Sequence, residues 1–190
     1  MISGDCRVAE NNMVTAFVGL GSNLGDGKAL LMGAWRALGK VDGIVPDRLS
    51  CPYTTAPVDM ASDRWFTNAV GRLQVSLPPL ELLRVLLAVE ASFGRIRSGE
   101  PGKPAGYQDR SLDLDLLYYG ELVLDSPELV LPHPRIGDRL FVLAPLAELE
   151  PDFKDSLSGE TIATMEMRLR AGMAAGHGKE QKIIRGAWNE

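Results

Sequence analysis

The sequence predicts a single globular domain of mixed strand and helix, on three observations. At 190 residues the chain has room for one proper hydrophobic core and is short for two. Apolar stretches of strand length, bounded by Gly, Pro and polar residues, recur at 14–20, 44–53, 65–75 and 110–120. Between and after them lie segments with the apolar spacing of helices, at 28–38, 76–93 and 136–149.

Taken in order, residues 1–12 are polar and irregular and read as a loose leader, so the folded domain is expected over 13–160. The first strand, 14–20, runs into Gly19-Leu20-Gly21-Ser22-Asn23-Leu24-Gly25-Asp26-Gly27, a turn-rich loop opening onto the helix at 28–38. A P-loop needs Gly six residues before its Lys and Ser or Thr after it, and here those places hold Ser22 and Ala29. The dinucleotide fingerprint fails as well, its last glycine being one residue too far away. The loop therefore reads either as a tight turn that lets a ligand approach the backbone or as a purely structural turn.

The strand at 44–53 cannot continue as a regular ladder past Pro57, so a loop follows to Trp65. In the strand at 65–75, Phe66 and Asn68 fall on one face. That pair suits stacking on and hydrogen-bonding a planar ring, or equally a core aromatic beside a satisfied amide. Ser76-Leu77-Pro78-Pro79 is a helix start with a cap residue and early prolines. Leu82, Leu83, Leu86, Leu87, Val89 and Phe93 form the buried stripe, and Glu90 falls near the helix end. The Gly- and Pro-rich stretch 98–109 is bracketed by Arg95, Arg97 and Arg110, an arrangement suited to clamping a polyphosphate or simply to a solvated basic surface. Residues 121–124 read as a hairpin arm pairing back on the preceding strand. Leu131-Pro132-His133-Pro134-Arg135 forms a rigid loop, and the apolar run 136–149 carries Arg139 and Phe141. A helix is expected at 161–171 and a frayed tail from 172 to 190.

The strand at 110–120 holds the chemistry. Leu112, Leu114 and Leu116 share one face and Asp113 and Asp115 the other, the two aspartates about 6.5–7 Å apart along the strand. Two carboxylates that close repel unless a cation lies between them. Paired oxygen ligands suit Mg²⁺, which usually takes one or two carboxylates and completes its shell with water and phosphates. Taken alone, Asp-Leu-Asp also describes an edge strand with a wet polar face, and its neighbours have to decide.

Composition narrows the function classes. With 45% hydrophobic and 24% charged residues the chain is an ordinary soluble protein, and its net charge of −5 argues against a general nucleic-acid binder. Cys6 and Cys51 are too few and too far apart for a disulfide framework or zinc knuckle. No run is apolar and long enough to cross a bilayer, and the start lacks the apolar core of a signal peptide. A cytoplasmic, monomeric protein is expected, with no membrane or nucleic-acid partner.

Six motifs occur in order: Phe17-Val18-Gly19-Leu20-Gly21-Ser22-Asn23-Leu24-Gly25, Tyr53-Thr54-Thr55-Ala56-Pro57, Phe66-Thr67-Asn68-Ala69-Val70, Gly94-Arg95-Ile96-Arg97, Leu112-Asp113-Leu114-Asp115 and Leu131-Pro132-His133-Pro134-Arg135. Together, over residues 14–152, they resemble the 6-hydroxymethyl-7,8-dihydropterin pyrophosphokinases of folate biosynthesis. The resemblance implies an α+β, ferredoxin-like antiparallel or mixed sheet with helices packed on one side. It implies transfer of the β,γ-diphosphoryl group of ATP, the co-substrate, to the pterin hydroxymethyl oxygen, releasing AMP. It also implies two Mg²⁺ ions on Asp113 and Asp115, with pterin contacts at Thr55, Val58, Phe66, Asn68 and Phe141. ATP contacts would be Glu90, Arg97, Tyr107, His133 and Arg139, and Arg95 and Arg110 would be catalytic-loop arginines acting with Arg97. Gln108-Asp109 stands where the family usually has Gly-Pro before the arginine matched by Arg110, and Ala56 and Asp59 stand where proline and glycine are common. Two rivals are a pterin- or nucleotide-binding module that has lost catalysis and an RNA-binding ferredoxin-like domain. The retained aspartates disfavour the first, and acidic charge the second.

Overall fold

A computed structural model describes residues 13–58, 63–94, 111–177 and 179–188. Its centre is an antiparallel sheet of β1 (Val14–Ser22), β2 (Ile44–Leu49), β3 (Tyr53–Thr55), β4 (Phe66–Val75), β5 (Asp113–Tyr119) and β8 (Ile183–Arg185). The spatial order is β5-β1-β4-β3-β8, with β2 pairing the far half of β4 beside β3. Helices α1 (Gly27–Leu38) and α2 (Pro79–Ser92) follow β1 and β4, giving the βαββαβ order of a ferredoxin-like fold. A separate two-stranded ribbon joins β6 (Leu124–Asp125) to β7 (Val130–Leu131).

The expected α+β fold is present, with helices on both faces of the sheet rather than one. On the first face Ala16, Val18, Leu20, Ala69, Leu73, Leu112, Leu114 and Leu116 pack with α1 and α2. Gly71 is needed there because a Cβ would run into the Trp35 ring. On the second face Phe17, Val70, Leu117 and Tyr118 meet α3 (Leu140–Leu149) and α4 (Ile162–Ala174). Phe17, Tyr118 and Phe153 contact one another edge-to-face. A bulge in the β1–β5 ladder skips Leu117, so that Leu117 and Tyr118 both serve this second face.

Several elements differ from the sequence reading. Gly19 and Gly21 lie within β1, not in a loop, and the turn proper is Leu24 to Asp26, with Gly25 at φ +68°. Asp26 caps α1, its Oδ1 accepting from the Ala29 N–H at 3.0 Å. The strand expected at 44–53 is two strands, parted where the Ser50 hydroxyl accepts from Val70 N–H. Ser76 does not cap α2, whose N-cap position is Pro78 without a side-chain bond. Residues 121–124 do not pair back on β5; Leu124 pairs with Leu131 instead. The run at 136–149 is a 3-10 turn, Ile136–Asp138, followed by α3.

The helix expected at 161–171 is α4, but the segment beyond it is no frayed tail. Residues 183–185 form β8 against β3, Gly186 N–H donates to Pro52 O, and the Trp188 indole N–H donates to Ser50 O at 2.9 Å. Among the described residues, no helix is long and apolar enough to cross a membrane.

Candidate active site

Two cavities flank the acidic face of β5. The first, about 390 Å³, opens over β1, β4 and β3 and is walled by the segment that begins α3. Its lining includes Gly19, Gly21, Thr55, Val58, Phe66, Asn68, Asp113, Asp115, Asp138, Arg139 and Phe141. The second, about 350 Å³, lies past the outer edge of β5 and is lined by Leu83, Leu87, Leu114, Asp115, Leu116, Glu128, Leu129, Val130, His133 and Pro134. Asp115 lines both. Each volume lies within the range of small-molecule sites.

The strand pattern explains the placement. Leu112, Leu114 and Leu116 are buried against α1 and α2, which turns Asp113 and Asp115 to the opposite face as period-two alternation requires. β1 pairs Gly19 with Asp115 and Gly21 with Asp113, so glycines lie beside both carboxylates and leave the floor of the cavity open. A Cβ at Gly21 would sit 3.0 Å from Asn68 Oδ1 and 3.9 Å from Asp113 Cβ.

Asn68 and Thr55 are buried and joined, the Asn68 side-chain amide donating to Thr55 Oγ1 at 2.8 Å. That bond orients the amide and leaves Oδ1 as the acceptor beside Gly21. Phe66 and Phe141 reach the cavity from β4 and α3, so its walls are aromatic and its floor polar.

Arg139 occupies the N-cap position of α3 and offers no capping oxygen. A cation there opposes the positive end of the helix dipole, a locally unfavourable choice that points to function. Its guanidinium lies 3.6 Å from Asp115 Oδ2 and 5.5 Å from the centre of the Phe141 ring. His133 is fixed because its N–H donates to Leu117 O, the carbonyl at the bulge, at 2.9 Å. Burial, then the charge of Arg139, pushes the His133 pKa down to about 4, so the ring is neutral near pH 7. Its Nδ1 accepts from the Arg135 N–H at 3.2 Å, which leaves Nε2 as the donor.

Of the residues expected at the site, Thr55, Val58, Phe66, Asn68, Asp113, Asp115, Arg139 and Phe141 converge on the first cavity and His133 on the second. Glu90, expected against the nucleotide, lines neither. It is 1% exposed, and its Oε1 accepts from the Leu114 N–H at 2.7 Å, tying α2 to the β5 backbone between the two aspartates. A side-chain acceptor on a sheet-edge N–H is a long-range contact that no local sequence signal predicts. Arg95, Arg97, Tyr107 and Arg110 lie outside the described residues. Sequence reasoning missed Asp138 in the first cavity and the apolar wall of the second, where Leu83 and Leu87 had read as helix-stripe residues and Val130 had not been singled out.

Fold and site define a ferredoxin-like domain in which two clefts share Asp115, with Asp113 beside it in the first. The family description "7,8-dihydro-6-hydroxymethylpterin-pyrophosphokinase (HPPK)" matches residues 17–151. A 2-amino-4-hydroxy-6-hydroxymethyldihydropteridine pyrophosphokinase from Synechocystis sp. is 44% identical over 147 residues, covering 77% of this chain and 72% of that protein. One of the same name from Methylorubrum extorquens is 39% identical over 150 residues, covering 79% of this chain and 90% of that one. Among solved structures, a Plasmodium falciparum HPPK-DHPS superposes with a TM-score of 0.71 at 13% identity. That superposition covers 92% of this chain and about half, 49%, of the other. The chain belongs to the HPPK family, transferases of folate synthesis.

Proposed function

We propose that this chain transfers the β,γ-diphosphate of ATP to the hydroxymethyl oxygen of 6-hydroxymethyl-7,8-dihydropterin, giving AMP and the pterin diphosphate. The observation that carries the reading is Asp115 lining both cavities, so that groups held in the two clefts meet at the acidic pair. In this reading the first cavity takes the pterin. Phe66 and Phe141 enclose the flat ring, Asn68 Oδ1 accepts from a ring N–H, and Thr55 and Val58 complete the rim. The second cavity takes the nucleotide, with its base on the apolar wall and His133 Nε2 donating to a phosphate oxygen.

The carboxylates of Asp113 and Asp115 fit Mg²⁺, being a pair of oxygen donors on an open cavity with room for phosphate oxygens and water. When bound, two such ions would neutralise the polyphosphate and hold attacking and leaving oxygens in line. Arg139 lies beside Asp115 and moves its charge onto the transferred group as that group arrives. Arg95, Arg97 and Arg110, with Tyr107, are assigned to the polyphosphate side as the family resemblance implies. Among the described residues the carboxylates lining the first cavity are Asp113, Asp115 and Asp138, and these are the candidates to receive the hydroxyl proton. Glu90 is assigned a supporting part, holding the β5 backbone. A cytoplasmic, monomeric enzyme belongs to the same proposal.

Phosphorus NMR of the protein with ATP, Mg²⁺ and the pterin tests this. Pterin-dependent AMP and a pterin diphosphate are expected. ADP as the product, or AMP formed without the pterin, would overturn the assignment.

A further inference from the structure

The C-terminal segment reaches back to the wall of the first cavity at one residue. The Gln181 side-chain N–H₂ donates to Asp138 O at 2.7 Å, and its Oε1 accepts from Leu140 N–H at 2.9 Å. One carboxamide thus bridges the backbone on either side of Arg139, as a paired strand would.

The need is local. Arg139 occupies the N-cap position of α3 and has no oxygen to offer the first-turn N–H groups. Gln181 supplies that acceptor from a distant part of the chain. The same segment holds the opposite wall: Ala56 N–H donates to Lys182 O at 3.0 Å, and Thr55 pairs with Ile183. Residues 181–183 therefore link the Thr55 side of the cavity to the Arg139–Phe141 side.

We propose that Gln181 is a positioning residue for this site, its carboxamide fixing the angle at which Arg139 and Phe141 enter the cavity. This rests on the assignment of the first cavity to the pterin. Without the clamp, the Asp138–Leu140 backbone keeps only its helical and 3-10 bonds, and the Arg139 side chain loses its registry with Asp115, 3.6 Å away.

Three variants test it, read by fluorescence titration of pterin without ATP, by kcat at saturation and by thermal midpoint. Gln181→Ala loses both bonds and is expected to weaken pterin binding about tenfold and to lower kcat. Gln181→Glu keeps the acceptor for Leu140 but not the donor for Asp138, and should move the same quantities in the same direction even if the alanine variant folds poorly. Trp188→Phe removes the bond to Ser50 at the far end of the segment, and should lower the midpoint while leaving pterin binding unchanged. Pterin binding within twofold of wild type in both Gln181 variants would overturn the proposal. So would a loss in all three that merely follows the fall in midpoint. Wild-type protein that binds no pterin would overturn the underlying assignment and this inference together, whereas normal wild-type turnover with unaffected Gln181 variants would overturn this inference alone.

Discussion

Replacing Asn68 by alanine separates the site from the scaffold most cleanly. Asn68 is buried and its side-chain amide donates to Oγ1 of Thr55, a residue only 3% exposed, while Oδ1 faces the cavity beside Gly21. Two losses follow. In the free protein Thr55 Oγ1 loses its donor, costing about 1–2 kcal/mol of stability. For a domain of this size that is a fall in thermal midpoint of roughly 2–8 °C. In the proposed complex a pterin ring N–H loses its acceptor, which costs about 1.5–3 kcal/mol, a ten- to hundredfold weaker pterin affinity. Nucleotide affinity should stay within twofold, because Asn68 does not line the second cavity. The assay is a pair of equilibrium titrations, pterin alone and a non-hydrolysable ATP analogue alone, on protein shown to be folded by its melting curve. A folded Asn68→Ala protein with pterin affinity within threefold of wild type would refute the role of the amide. Equal losses for both ligands would refute the division of the clefts.

Two further substitutions bear on the architecture. Gly21→Ala puts a methyl group 3.0 Å from Asn68 Oδ1, tight enough to displace the acceptor, and should weaken pterin binding roughly tenfold; unchanged affinity in a titration would mean that the amide does not face the ligand. Glu148 ties the tail to the sheet by accepting from Cys51 N–H, the Tyr53 hydroxyl and Arg185. Although burial pushes its pKa up, these partners outweigh burial and hold it at about 2, below the ordinary 4.5. A depressed carboxyl pKa stabilises the fold above pH 4.5, and that contribution is lost as the pH falls from 4.5 toward 2, by at most about 3 kcal/mol. Glu148→Gln should therefore flatten the acid limb of stability in that window and destabilise the protein more at pH 7 than at pH 3. Parallel pH curves for wild type and variant would contradict this.

Strand β5, at the sheet edge, was legible because its leucine face is buried while its acidic face is not. A buried leucine face forces the alternate residues outward, so Asp113 and Asp115 had to share a surface. β1, β4, α1 and α2 were likewise readable, being long enough for periodicity to express itself. What stayed hidden was short or non-local. β8 has three residues, and Ile184 is 59% exposed, so it carries no period and no hydrophobic run. The break at Ser50 depends on a hydroxyl reaching Val70 across the sheet, and the bulge at Leu117 depends on what α3 and α4 require of that face. In the site, the paired aspartates, Phe66 and Asn68 each had a structural reading beside the functional one in the bare pattern, and it was the ordered set of motifs that singled them out; the structure brings them to one cavity. Gln181 escaped because a glutamine bonded to distant backbone looks in sequence like any surface residue, and for the same reason the bond of Glu90 to the Leu114 N–H was not foreseen although Glu90 itself was expected at the site.

Asp113→Asn and Asp115→Asn test the central claim most directly, that substrates held in two clefts react at one carboxylate pair. Each change keeps side-chain volume and removes one charge. Pterin-dependent AMP formation, followed by phosphorus NMR, should fall by roughly two orders of magnitude or more in each variant, since phosphoryl transfer depends on charge neutralisation and positioning. Pterin affinity, which the proposed function assigns to Asn68 and the aromatic walls, should stay near wild type. Near-normal Mg²⁺-dependent turnover in both variants, or loss of turnover only in step with loss of pterin binding, would contradict the account.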